Sequence, residues 1–267
     1  MPPIRTWDDI SALGKEVVER GFTALKTNIV YPGDPAHVYR GGFGGGAGTT
    51  DGTIDNATID HIRTLIGTFR DAGRIERRHR ARPQLQLPRG GRDAGRALED
   101  FEMMWVEVDM YEPEGLREIR DATSVPICSG ENLFTPRDYR RYFEARSMDV
   151  CMVDVPWNGF GVSKKVADMA ETFEVNCAPH NYYSHVATLH SLHLCAVIPN
   201  VRICEIDIDD VACKDDLITE KLEFDIGDVL MPDRPGWGAE LNEEVARAHV
   251  WNRGRLPGYS SGGTDDT

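Results

Sequence analysis

Residues 103–131 read MMWVEVDMYEPEGLREIRDATSVPICSGE, and their rhythm decides the fold. Residues 103–108 are a short apolar run with the character of a buried strand. Residues 113–122 form a helix opened by proline at an early position. Residues 125–129 are a second short strand. Strand, helix and strand in quick succession make a β-α unit and imply a parallel sheet.

The rhythm continues downstream. Helices are expected at 136–145, 163–172 and 184–197, and strands at 150–153, 175–178 and 202–206. Upstream, residues 7–20 place Ile10, Leu13, Val17 and Val18 on one helical face, and Gly21 ends the helix. Residues 22–30 read as a buried strand, 31–55 as a long loop and 59–69 as a helix. Such a series suits a barrel or an open doubly wound sheet. The polar residues choose between them. Lys26, Glu107, Glu131, Asp154, His180 and Glu205 each lie at or just past the end of a different strand. In a barrel those ends converge on one mouth, whereas in an open sheet they would be strung along an edge.

Composition bounds the function. The 267 residues are 40% hydrophobic, enough for a sizeable core, and a barrel of this size commonly forms one domain. A formal net charge of -14 disfavours both a nucleic-acid partner and docking on an anionic membrane. No apolar run approaches the ~20 residues that span a bilayer. The opening MPPIRTWDDI lacks a signal-peptide core, so a cytoplasmic protein is expected. Cys128, Cys151, Cys177, Cys195, Cys204 and Cys213 form no C-x-x-C pair and read as reduced thiols. The loop GGFGGGAG lacks the GK[ST] of a phosphate cradle and reads as a mobile or merely flexible segment.

The strand-end residues suggest a chemistry. Glu107 and Glu131, on neighbouring strands, offer oxygen ligands to a hard cation such as Mg²⁺. Asp154 beside His180 would fix the imidazole tautomer and raise its basicity, as proton transfer near neutral pH requires. Lys26 adds a cation at the mouth, and Glu205 faces it from the last strand. Taken singly, each carboxylate reads as a helix cap or a solvated end, and His180 as a structural residue. Their register on successive strands is what carries weight.

The motif order resembles the mandelate racemase and muconate lactonizing branch of the enolase superfamily. ALKTN is similar to its second-strand lysine motif, and WVEVDMYEPE and VPICSGENL are similar to its metal-ligand strands. VDVPWNGFGVSKKVADMAETFEV, NCAPHN and ICEID resemble the segments that carry the dyad aspartate, the dyad histidine and an acid near the substrate. MPDRPGWGAELNEE resembles the closing segment.

The resemblance implies Mg²⁺ held by Glu107 and Glu131. It implies catalysis by His180, Asp154, Lys26 and Glu205, and dehydration of a sugar acid to a 2-keto-3-deoxy acid. Asn28 stands where racemases of the family often carry a second lysine, which favours dehydration. A racemase, epimerase or cycloisomerase is the alternative, as is a catalytically impaired fragment. Relatives commonly assemble, so a homo-oligomer is implied too.

Two departures qualify the expected fold. A D-x-N motif should lie on the third strand, yet GRIERRHRARPQLQLPRGG stands there, without a strand pattern and with six arginines from Arg74 to Arg89. A nucleic-acid patch is the weaker reading of that run. A shifted reading frame is the stronger. Permitted codons for Arg82–Leu87, displaced by one base, read Asp-Leu-Asn-Phe-Asn-Phe. The family's N-terminal capping domain and first barrel strand are also missing. The expected architecture is therefore α/β, an incomplete (β/α)7β TIM-like barrel without those parts and with its third strand disrupted. Residues 1–256 form the barrel domain, 73–91 are aberrant within it, and 257–267 are a disordered tail.

Overall fold

A computed structural model describes residues 4–39, 54–73, 91–207 and 213–249, together with the backbone of 82–87. Helix α1 (Trp7–Glu19) begins at a reciprocal cap, in which Thr6 accepts from the Asp9 N–H and Asp9 accepts from the Thr6 N–H. Strand β1 (Ala24–Thr27) follows, then a small hairpin of β2 (Val30–Tyr31) and β3 (His37–Val38). That hairpin occupies the start of the expected 31–55 loop, while GGFGGGAG lies outside the described residues. Helix α2 (Asn56–Ala72) is capped by Asp55, whose side chain accepts from the Thr58 N–H.

Strand β4 (Arg82–Leu87) comes next, then α3 (Gly91–Ala97), β5 (Trp105–Val108), α4 (Pro113–Arg120), β6 (Ile127–Ser129) and α5 (Thr135–Glu144). The alternation ends with β7 (Val150–Cys151), α6 (Val155–Asn158), α7 (Phe160–Thr172), β8 (Asn176–Cys177) and α8 (His185–Val197). A two-stranded ribbon of β9 (Phe224–Asp225) and β10 (Asp228–Val229) and the short α9 (Glu243–Ala248) close the described chain. No described helix is long and apolar enough to cross a membrane. The tail from residue 257 lies outside the described residues, as does most of the arginine run.

The main sheet is parallel throughout, in the order β1-β4-β5-β6-β7-β8. Its two faces are both covered, as parallel sheets require. On one face Trp105, Cys128, Val150, Met152 and Ala178 pack together. On the other, Val106, Val108, Ile127, Cys151 and Cys177 meet the helices through Leu116, Ile119, Tyr139, Phe143, Val166 and Ala170. Each such aliphatic side chain taken from water contributes roughly 1.5–3 kcal/mol. Alternation along β5 then puts Glu107 on the Trp105 face, inside the curved sheet.

Two expectations need correction. The stretch expected to lack a strand forms β4, a six-residue strand hydrogen-bonded on both sides to β1 and β5. Neighbouring strands satisfy its backbone whatever the side chains, and Gln84-Leu85-Gln86-Leu87 alternates with the period of a strand. Pro83 nevertheless leaves one ladder donor missing. The strand expected at 202–206 is instead an extended run tied on by one bridge, Cys177 to Val201, with the Arg202 N–H donating to the Cys177 oxygen and the Glu205 N–H to the Pro179 oxygen. Pro179 has no N–H to return, so a regular ladder stops there.

Candidate active site and metal centre

All six residues singled out from the sequence meet at one end of the sheet. Lys26 is on β1 and Glu107 on β5. Glu131 follows β6, Asp154 opens α6, His180 follows β8, and Glu205 is on the extended segment. The Lys26 Nζ lies 2.9 Å from Glu107 Oε2, 3.1 Å from Glu205 Oε1 and 3.8 Å from Glu131 Oε2. The imidazole Nε2 of His180 is 3.4 Å from the same Glu131 oxygen and 4.0 Å from Glu205 Oε2. Its Nδ1 is 2.7 Å from Asp154 Oδ2. The carboxylate can only accept, so Nδ1 carries a proton and Nε2 faces the pocket.

Local structure explains the placement of Glu131, Asp154 and Glu205. Gly130 turns the chain with φ +115°, and a Cβ there would come 3.2 Å from Tyr139. The Tyr139 hydroxyl donates to the carbonyls of Gly130 and Leu133, gripping the turn that bears Glu131. Asp154 is a helix cap: Oδ1 accepts from the Trp157 N–H at 2.8 Å, which leaves Oδ2 for His180. The Asn181 N–H donates to Glu205 Oε2, and its side-chain amide donates to the Glu205 carbonyl.

The structure adds two residues that the sequence did not mark as functional. Tyr183 donates its hydroxyl to Asp154 Oδ2 at 2.6 Å. Asp109, 8% exposed, joins Glu107 and Glu131 in a group whose ligand oxygens lie within 4.8 Å of one another. Spacing could have found Asp109, since it stands two residues after Glu107 on the same face of a strand. Tyr183 carried no signal, because its reach depends on the turn after β8.

Burial and charge shape the protonation states. Burial pushes Glu107 up to about 8, against the opposing pull of Lys26. Glu131 is raised too, by burial and then by Asp109. Burial alone would lower Lys26, but Glu107, Glu205 and Glu131 outweigh it and hold the ammonium above the ordinary lysine value. Burial would likewise lower His180, and Asp154, Glu205 and Glu131 raise it overall.

A divalent cation fits this donor set. Glu107 is 0% exposed, and its Oε1 has no hydrogen-bond partner among the described residues. A buried carboxylate in that condition is relieved by a proton or by a cation. The neighbouring donors are all carboxylate oxygens, the ligands that hard cations take.

Parallel β-α units with carboxylates, a lysine and an Asp–His pair at their carboxyl ends define an enolase-type barrel half. Residues 9–245 match the family model described as Enolase C-terminal domain-like, and the chain belongs to that family. It is 29% identical over 157 residues to a D-xylonate dehydratase of Haloferax volcanii, covering 57% of this chain and 38% of the relative. A structure of a proposed L-alanine-DL-glutamate epimerase from Burkholderia xenovorans strain LB400 is 36% identical, with TM-score 0.86, and 93% of this chain covers 64% of it. The same protein bound to magnesium and fumarate matches with equal TM-score and identity, 93% of this chain covering 62% of that one. The chain thus spans less than two thirds of each of these relatives. Sugar-acid dehydratases and an epimerase both occur among the curated relatives.

Proposed function

We propose that this chain carries the chemical half of a Mg²⁺-dependent sugar-acid dehydratase. Glu107 and Glu131 would hold the cation, and His180, Asp154, Lys26 and Glu205 would handle the substrate. The observation that carries the reading is the pairing of one base with one cation across a carboxylate pocket. His180 Nε2 and Lys26 Nζ both reach Glu131 and Glu205.

A Mg²⁺ ion held there supplies positive charge beside a substrate carboxylate and so stabilises the charge left when the neighbouring C–H ionises. His180 Nε2 takes the α-proton, and Asp154 steadies the imidazolium through Nδ1. Lys26 orients the substrate carboxylate by its ammonium, and Glu205, in its acid form, donates a hydrogen bond to the developing enolate oxygen. The C–O bond at the β-carbon then breaks, and its oxygen leaves as water with a proton from an acid of the site. Tautomerisation gives a 2-keto-3-deoxy acid. The substrate is a small polyhydroxy acid, and neither nucleic acid nor a membrane is a partner. The protein works in the cytoplasm, as a homo-oligomer.

Asn28 supports a single base, because a two-base racemase would place a second lysine there. Epimerisation is the second reading, favoured by the epimerase among the curated relatives and by the matching structure of a proposed epimerase. Incubation of the chain with a panel of sugar acids, Mg²⁺ and D2O separates the two. Dehydration predicts keto-acid formation that His180→Asn abolishes. Deuterium at the α-carbon without loss of water would establish epimerisation instead.

A further inference from the structure

Glu107, Asp109 and Glu131 form a compact acidic group, and Asp109 is the member that the family pattern does not supply. The pattern takes its first ligand from the third strand. In this chain that strand is β4, Arg-Pro-Gln-Leu-Gln-Leu, with no carboxylate in it. Its Gln86 is registered directly opposite Glu107. We infer that Asp109 is the third protein ligand of the cation, taking over from the adjoining strand the place that β4 leaves without an acid. This rests on the metal reading above and specifies which oxygens serve it.

Geometry supports the assignment. Glu107 and Asp109 are two residues apart at the end of β5, so their side chains leave the same face, and Glu131 follows the neighbouring β6. Oxygens on opposite sides of Mg²⁺ are about 4.2 Å apart, given bonds of about 2.0–2.1 Å. The observed limit of 4.8 Å therefore closes with small side-chain rotations.

Two further observations bear on the cation. The Glu107 Oε1 is fully buried without a hydrogen-bond donor. The Lys26 ammonium stands 2.9 Å from Glu107 Oε2 and 3.8 Å from Glu131 Oε2, so these oxygens already draw positive charge. Holding several carboxylates under cover is costly unless enough positive charge faces them.

The test titrates Mn²⁺, which takes the same oxygen ligands and is visible by electron paramagnetic resonance, into the full chain and its variants. The parent is expected to bind one ion. Asp109→Asn is expected to weaken that binding by at least roughly 10-fold, the scale on which even outer-shell changes act. Circular dichroism checks that the variant is folded. If it is not, Asp109→Cys with Cd²⁺ answers instead, by thiolate-to-metal absorbance above that of the parent chain. Equal Mn²⁺ affinity of parent and Asp109→Asn, with Glu107→Gln abolishing binding, overturns Asp109 as ligand and leaves the metal reading standing. Absence of the thiolate band from a folded Asp109→Cys also overturns it. No Mn²⁺ bound by the parent overturns both.

Discussion

Strands β5, β6 and β7 present only buried residues, whereas every residue of β1 is half-buried. The first group sits between covering helices and paired neighbours on either side. Among the described residues β1 is the end strand, paired only with β4. Glu107, Asp109, Glu131, Asp154 and His180 all come from the β5–β8 side. Lys26 comes from the β1 edge, and Glu205 from the extended segment beyond β8. Packing therefore positions the acids and the imidazole, while charge does most to position the lysine.

That contrast can be broken most forcefully at Lys26. Its side chain is 17% exposed and bridges carboxylates that are less exposed still. Lys26→Met keeps the length and removes the one ammonium that faces all three carboxylates among the described residues. It is expected to destabilise the metal-free chain by about 3–5 kcal/mol, with recovery when Mg²⁺ is added. A thermal melt in chelator and then in Mg²⁺ reads both effects. A melt identical to the parent's would mean that packing, not charge, anchors β1.

The contrast sharpens in the core. Leu116, under β5, is 0% exposed, and Leu116→Ala should cost about 2–5 kcal/mol by the lost burial and the cavity left. Leu25 on β1 is half-buried, and Leu25→Ala should cost less than half as much by urea titration. Equal losses would put the two sides on the same footing.

A smaller effect lies in α1, beside the edge. The backbone N–H groups of Arg5 and Thr6, and the Thr6 hydroxyl, hold the Asp9 carboxyl below its ordinary value. A depressed carboxyl contributes stability above its unfolded value and loses it as pH falls through the folded one. Asp9→Asn should therefore lower the melting temperature slightly at neutral pH and not at all in strong acid. A decrement that persists in acid would mean that the cap acts through shape rather than charge.

The β5–β8 side was legible in the sequence because its strands are short apolar runs and each helix between them is punctuated by proline, glycine or a polar cap. The site was legible for the same reason. A carboxylate or histidine at the end of each run can only meet the others if the sheet curves. What escaped reading depended on contacts distant in sequence. Strand β4 owes its pairing to β1 and β5 rather than to its own composition, and Pro83 and the surrounding arginines hid it. The segment 202–206 looks like a strand in residue type, but Pro179 opposite it cannot return the ladder. Tyr183 reaches Asp154 only through the turn after β8, and Asp109 shares the face of Glu107 only once the register of β5 is fixed. Sequencing the codons of residues 73–91 would show whether β4 once encoded its own acid.

The most direct measurement is an anomalous difference map from a crystal of the chain soaked in Mn²⁺. A single peak bound by Glu107 and Glu131, in the pocket that Lys26 and His180 face, is the predicted result. A crystal that takes up Mn²⁺ elsewhere, with Lys26 still against these carboxylates, would contradict a site built around a divalent cation.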